Sequence, residues 1–122
     1  MDDEEPVLEF ESEVLSGAGA KVVALTGGEE AIALLQSEDF DAIIIDSRMP
    51  GGWSGQEIHR WLRENRAGLE RKIILSTSHA TDPELRQFLD YNNVPCLMKP
   101  FEVTDLLKVV RSVVCRTQVA GA

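Results

Sequence analysis

At 122 residues, 43% hydrophobic and 27% charged, the chain is sized for one domain (1–122) with its own core, and no run is apolar for long enough to span a bilayer. A net charge of −9 speaks against direct nucleic-acid binding, which needs clustered Lys and Arg to neutralise phosphates. Cys96 and Cys115 form no C-x-x-C pair and no basic-then-apolar leader precedes Met1, so a reducing, cytoplasmic setting is expected rather than a disulfide scaffold.

The elements follow in chain order. Val7, Phe10 and Val14 recur at helical spacing, which predicts an amphipathic helix from Pro6 to about Ser16, ended by Gly17 and Gly19. Lys21 to Thr26 is β-branched and apolar, the pattern of a strand. Gly27-Gly28 breaks the chain, and Ala31, Leu34 and Leu35 begin a second helical stripe. Ala42 to Ile45 is a continuous apolar run ending at Asp46, as in a strand covered on both faces. Met49-Pro50-Gly51-Gly52 is loop punctuation, and Ile58, Trp61 and Leu62 mark a third helix. Lys72 to Thr77 reads as the next buried strand. Asp82-Pro83 reads as a cap with proline in the first turn, leading a helix with Leu85, Phe88 and Leu89 inward. Val94 to Met98 is a short strand, and Leu106, Val110, Val113 and Val114 belong to a last helix that ends near Arg116. Such alternation implies a parallel sheet with helices on both faces.

In sheets of this kind, ligands gather at the carboxyl ends of the strands. Asp46, Thr77 and Lys99 each end a strand, and Asp2 and Asp3 precede the first helix, where a preceding strand would end. Carboxylates brought that close repel: two unit charges about 4 Å apart cost roughly 4 kcal/mol at an effective dielectric near 20. A cation compensates, and an oxygen-only site with few carboxylates suits Mg²⁺. Lys99 adds a positive charge on a flexible stem. A carboxylate so placed can attack a phosphoryl group and form an aspartyl phosphate, to which a threonine hydroxyl can respond.

The acidic run Asp2-Asp3-Glu4, the segment Asp46-Ser47-Arg48-Met49-Pro50-Gly51, Thr77 after a strand and Lys99-Pro100-Phe101 resemble the receiver domains of bacterial response regulators. Their order and separations fit that family across nearly the whole chain. The resemblance implies a flavodoxin-like α/β fold with strand order 2-1-3-4-5. It also implies Asp46 as phosphoacceptor, Thr77 and Lys99 as its helpers, and Mg²⁺ held by Asp2, Asp3, Asp46 and the carbonyl of Arg48. The implied partner is a histidine kinase or a histidine phosphotransfer protein, and the phrases around Gly52-Trp53-Ser54-Gly55 resemble receivers attached to hybrid histidine kinases.

Three positions depart from the family's pattern. The loop from Gly51 to Gly55 is one residue longer than usual. Cys96 stands where an aromatic residue is common, three positions before the lysine. The apolar first strand, central in the family's sheet, is reduced to Met1. Its absence would leave two inner sheet edges, and buried backbone groups are nearly always paired. The expected remedies are a second copy of the chain, the tail Thr117 to Ala120, or direct pairing of Lys21–Thr26 with Ala42–Ile45.

The same residues bear on two other functions. An aspartyl phosphatase or phosphotransferase needs a second acid two positions beyond the nucleophile, where this chain has Arg48. A receiver-like module that binds partners without carrying phosphate is the third reading. His59 is expected to be structural or exposed and His79 to lie in a surface loop, and His59, His79, Cys96 and Cys115 lack zinc-ligand spacing. Trp53 and Trp61 are open between packing and partner contact.

Overall fold

A computed structural model describes residues 4–20, 22–47, 53–78 and 81–121, with side chains described through Val114. Helix α1 (Glu5–Gly17) starts with Pro6 in its first turn and ends before Gly19, whose φ of +95° suits only glycine comfortably. Helix α2 (Gly28–Leu35) turns Ala31, Ile32 and Leu35 inward. Strands β1 (Ile43–Asp46), β2 (Ile73–Thr77) and β3 (Cys96–Met98) form one parallel sheet in the order β1-β2-β3. Helices α3 (Gly55–Asn65), α4 (Pro83–Asn92) and α5 (Val103–Gly121) complete the chain, with a short 3₁₀ turn at Leu69–Lys72 before β2. Asp82 caps α4 as expected, accepting the Glu84 N–H at 3.2 Å, and Asn93 ends that helix in the left-handed region.

The strands alternate cleanly between two cores. Ile43, Ile45, Ile73 and Leu75 point to one face and pack with Ile32 and Leu35 of α2, Ile58 and Leu62 of α3, and Leu85 and Leu89 of α4. Ile74 and Leu97 point to the other, against Leu106 and Val113 of α5, with Ile44, Val14 and Leu15 beside them. Every residue of β2 is buried, as a strand with a neighbour on each side and helices above and below must be. The expected layered architecture is therefore present, and α1 and α5 share one face.

The structure corrects the sequence reading in four places. Residues 22–26 form no strand, although their composition favours one. Strand structure requires a partner for its backbone groups, and the partner this segment would take in the family's order is the first strand. The alternative pairing of Lys21–Thr26 with Ala42–Ile45 is likewise absent among the described residues. A cleft of about 60 Å³ remains between them, lined by Val23, Leu25, Leu34, Phe40, Ala42 and Ile44. It has room for a few water molecules. The tail is not a strand either: Thr117 to Ala120 continue α5, which runs past Arg116 to Gly121. In α1, Phe10 lies at the rim, with its ring 6.0 Å from that of Phe101, while Glu11 is the buried residue of the helix.

Candidate functional site

The site grows out of the strand register. Asp46 pairs with Ser76 in the parallel ladder, so the next step along both strands sets Ser47 beside Thr77. The Ser47 N–H donates to the Ser76 carbonyl at 2.8 Å, and the Ser47 hydroxyl donates to Thr77 Oγ1 at 2.9 Å. On the far side, Lys99 N–H donates to the Thr77 carbonyl at 2.8 Å, which fixes the end of β3 against the end of β2. The three strand ends thus form one hydrogen-bonded rim.

Lys99 reaches across that rim. Its Nζ lies 3.0 Å from Asp46 Oδ2, and the two side chains are only 11% and 10% exposed. At this burial, removing either partner leaves a charge with little solvent to stabilise it, so each depends on the other or on a substitute ion. The Lys99–Pro100 peptide bond is cis. Below the rim, Ser54 caps α3 by accepting the Glu57 N–H at 3.2 Å. Gly55 is required there by contact: a Cβ would sit 2.3 Å from Leu75 Cδ2 and 3.2 Å from the Asp46 carbonyl. Gly28 has a similar reason, since a Cβ would come 2.3 Å from Trp53 Cβ. Trp53 is therefore at least a packing residue, and the glycine read as chain punctuation is also a close approach.

Of the residues singled out in the sequence, Asp46, Thr77 and Lys99 come together on this rim. Asp2, Asp3, Arg48 and His79 lie outside the described residues. Among the described residues, no three His, Cys, Asp or Glu side chains stand close enough to hold a metal ion. Asp46 is still a suitable ligand for Mg²⁺, a hard cation that takes oxygen donors, often only one or two carboxylates, and keeps several waters. The sequence reading missed Ser47 and Ser76. Carrying the ladder one residue past Asp46 would have found Ser47; Ser76 Oγ is buried with no hydrogen-bond partner among the described residues, and nothing in the sequence marks it.

The other candidates sit elsewhere. His59 is buried, its ring edge-on to Phe88 at 5.1 Å, and its Nδ1 has no hydrogen-bond partner among the described residues. Burial pushes its pKa below 6.5, Glu70 pulls it back up and Arg63 pushes it down. Cys96 is half-buried, and burial raises its pKa against the opposing charge of Arg86. A cleft of about 550 Å³ lined by His59, Arg63, Arg71, Lys72 and Asn92 opens at the amino ends of β2 and β3, away from Asp46. No described helix is long and apolar enough to cross a membrane.

Chemically, the rim offers a nucleophilic carboxylate, a fixed ammonium and two hydroxyls at the carboxyl ends of parallel strands. The chain matches the response regulator receiver domain family over residues 1–111. It is 33% identical to the sensor histidine kinase GacS of Pseudomonas protegens over 112 residues, which is 90% of this chain and 12% of that protein. Chemotaxis protein CheY4 of Vibrio cholerae superposes with a TM-score of 0.79 at 32% identity, covering 92% of each chain. The receiver domain of the sensor histidine kinase PA1611 from Pseudomonas aeruginosa, described with a magnesium ion coordinated in its active-site cleft, superposes with a TM-score of 0.81 at 23% identity, covering 93% of each chain. This chain spans only a small fraction of the kinase it resembles.

Proposed function

The chain belongs to the response regulator receiver family of two-component signalling, with that family's flavodoxin-like fold, and from this membership we propose that Asp46 is its phosphoacceptor. The observation that carries the proposal is the 3.0 Å contact between Asp46 and Lys99 at the nearly buried ends of β1 and β3. An Asp46 carboxylate oxygen attacks the phosphorus of a phosphohistidine; the P–N bond breaks, and the imidazole nitrogen keeps the electron pair. The Lys99 ammonium offsets negative charge gathering on the phosphoryl oxygens, a role supported by its contact with the Asp46 carboxylate.

Asp2, Asp3 and the carbonyl of Arg48 join Asp46 as the proposed Mg²⁺ ligands. Bound there, the ion would neutralise phosphoryl charge and orient the acceptor. Thr77 reads the phosphoryl group through its hydroxyl rather than accepting it. The phosphodonor is a histidine kinase or a histidine phosphotransfer protein; such kinases draw on cytosolic ATP, so the encounter is placed in the cytoplasm. A second copy of the chain is proposed as a further partner, meeting the apolar segment Val22–Thr26, where Val23 is 45% exposed and no described strand pairs with it. Residues 1–122 act as one domain in this reading, a signalling switch rather than an enzyme.

Incubating the chain with Mg²⁺ and acetyl phosphate tests the assignment. One phosphoryl group per chain is expected on the native protein and none on Asp46→Asn, since the amide is neither anionic nor nucleophilic. Native-level labelling of Asp46→Asn overturns it, and continuous turnover of acetyl phosphate would mark a phosphatase instead.

A further inference from the structure

We infer that Ser47 is a positioning residue: its hydrogen bond to Thr77 holds that hydroxyl in the unphosphorylated place and so sets how readily the domain switches. The inference rests on the acceptor assignment of Asp46 and goes beyond it. In this reading Ser47 acts through Thr77.

The strand alternation supplies the first argument. Thr77 shares its face of the sheet with Ile73 and Leu75, the face covered by α3 and α4. Asp46 has the parity of Ile44 and so starts from the opposite face. Thr77 is also fully buried, at 0% exposure. A hydroxyl so placed cannot meet a phosphoryl group arriving at Asp46 from solvent without turning. Ser47 holds it at 2.9 Å in the place it must leave.

The backbone around Thr77 is held independently of its side chain. Main-chain bonds anchor the surrounding backbone: Lys99 N–H to the Thr77 carbonyl and Ser47 N–H to the Ser76 carbonyl, both 2.8 Å. Ser78, the next residue, is exposed and outside β2. The ladder therefore stops at Thr77, and main-chain bonds hold this strand end whichever rotamer its side chain takes.

The two bonds open to Thr77 also differ in strength. A hydrogen bond to a charged oxygen contributes roughly twice as much as one between two neutral hydroxyls. Thr77 Oγ1 accepts from Ser47 but would donate its own O–H to a phosphoryl oxygen, so the two bonds compete through the side-chain rotation, and the stronger charged bond draws Thr77 round once the group is present. Losing the Ser47 bond is a cost of switching, and deleting that bond lowers the cost.

Beryllofluoride, a non-transferable mimic of the phosphoryl group, is titrated with Mg²⁺ into the full chain, with binding read from amide resonances of the Asp46, Thr77 and Lys99 region. Ser47→Ala is expected to tighten binding about fivefold, the factor matching one neutral hydrogen bond. Ser47→Thr, which keeps the hydroxyl, is expected to restore native affinity. In a Thr77→Val background, Ser47→Ala is expected to change nothing, because no hydroxyl remains to be held. Weaker or unchanged binding by Ser47→Ala overturns the inference, and so does equal tightening in the Thr77→Val background, which would make Ser47 a merely structural residue. Failure of the native chain to bind the mimic, or to take label from acetyl phosphate, overturns the acceptor assignment as well. Native labelling with unaltered Ser47→Ala binding overturns the Ser47 role alone.

Discussion

The segment from α1 through residue 26 and the three-stranded unit from β1 onward respond differently to similar sequence signals. Val22–Thr26 and Ile43–Asp46 are both short, apolar and β-branched, yet only the second forms a strand. Helices form in both regions, because an α-helix closes its hydrogen bonds within one segment. A strand needs a neighbour, and β1 has β2 where residues 22–26 have no strand beside them among the described residues. β-propensity is therefore a statement about available partners as much as about side chains.

The comparison breaks most directly through stability. Leu75 is fully buried in the central strand, so Leu75→Ala is expected to cost about 2–5 kcal/mol through lost burial and the cavity left behind. Val23 is 45% exposed, so Val23→Ala is expected to stay within about 0.5 kcal/mol. Urea unfolding of both variants checks the pair. Equal losses would mean that the first region is as consolidated as the second.

Self-association sharpens the same contrast. An apolar segment left outside the sheet should recruit another copy, so the mass from light scattering should rise from monomer toward dimer with concentration. Val23→Lys should return the chain to monomer. A strictly monomeric mass of the native chain at high concentration would remove the second copy from the proposed partners.

The smallest expected effect lies at the bottom of the well-packed region. His59 has its folded pKa depressed, first by burial. The unfolded chain therefore binds more protons as the solution is acidified. The stability that depends on neutral His59 is complete above the unfolded value of 6.5 and is lost as pH falls through the lower folded value. Arg63 adds to the depression, while Glu70 opposes it. The native chain should thus lose more stability between about pH 7.5 and about pH 5.5 than His59→Gln does. Urea midpoints at the two pH values decide it, and parallel losses in the two proteins would show that His59 does not titrate in this way.

The part of the candidate site that the described residues contain was legible because its chemistry falls on strand ends. Asp46, Thr77 and Lys99 each close an apolar run, and parallel strands with helical crossovers bring such ends to one side. Ser47 was not legible as a partner of Thr77, since its hydroxyl gains meaning only from the register Asp46↔Ser76. Gly28 looked like punctuation and Trp53 was undecided; their close approach belongs to two segments separated in sequence. Glu11 lies within an apparently amphipathic helix, and its burial depends on how α1 settles against the sheet.

By itself the sequence determined the order of the five helices and of β1, β2 and β3, the Asp82 cap of α4 and the meeting of Thr77 and Lys99 at Asp46, because periodicity, capping and strand-end placement are local properties or follow from chain order. Only the tertiary structure decided that Val22–Thr26 forms no strand, that Thr117–Ala120 stays helical, and that Ser47 holds Thr77. Each of those outcomes depends on a backbone or hydroxyl group finding a partner far away in the chain, and a hydrogen bond exists only where both of its ends arrive.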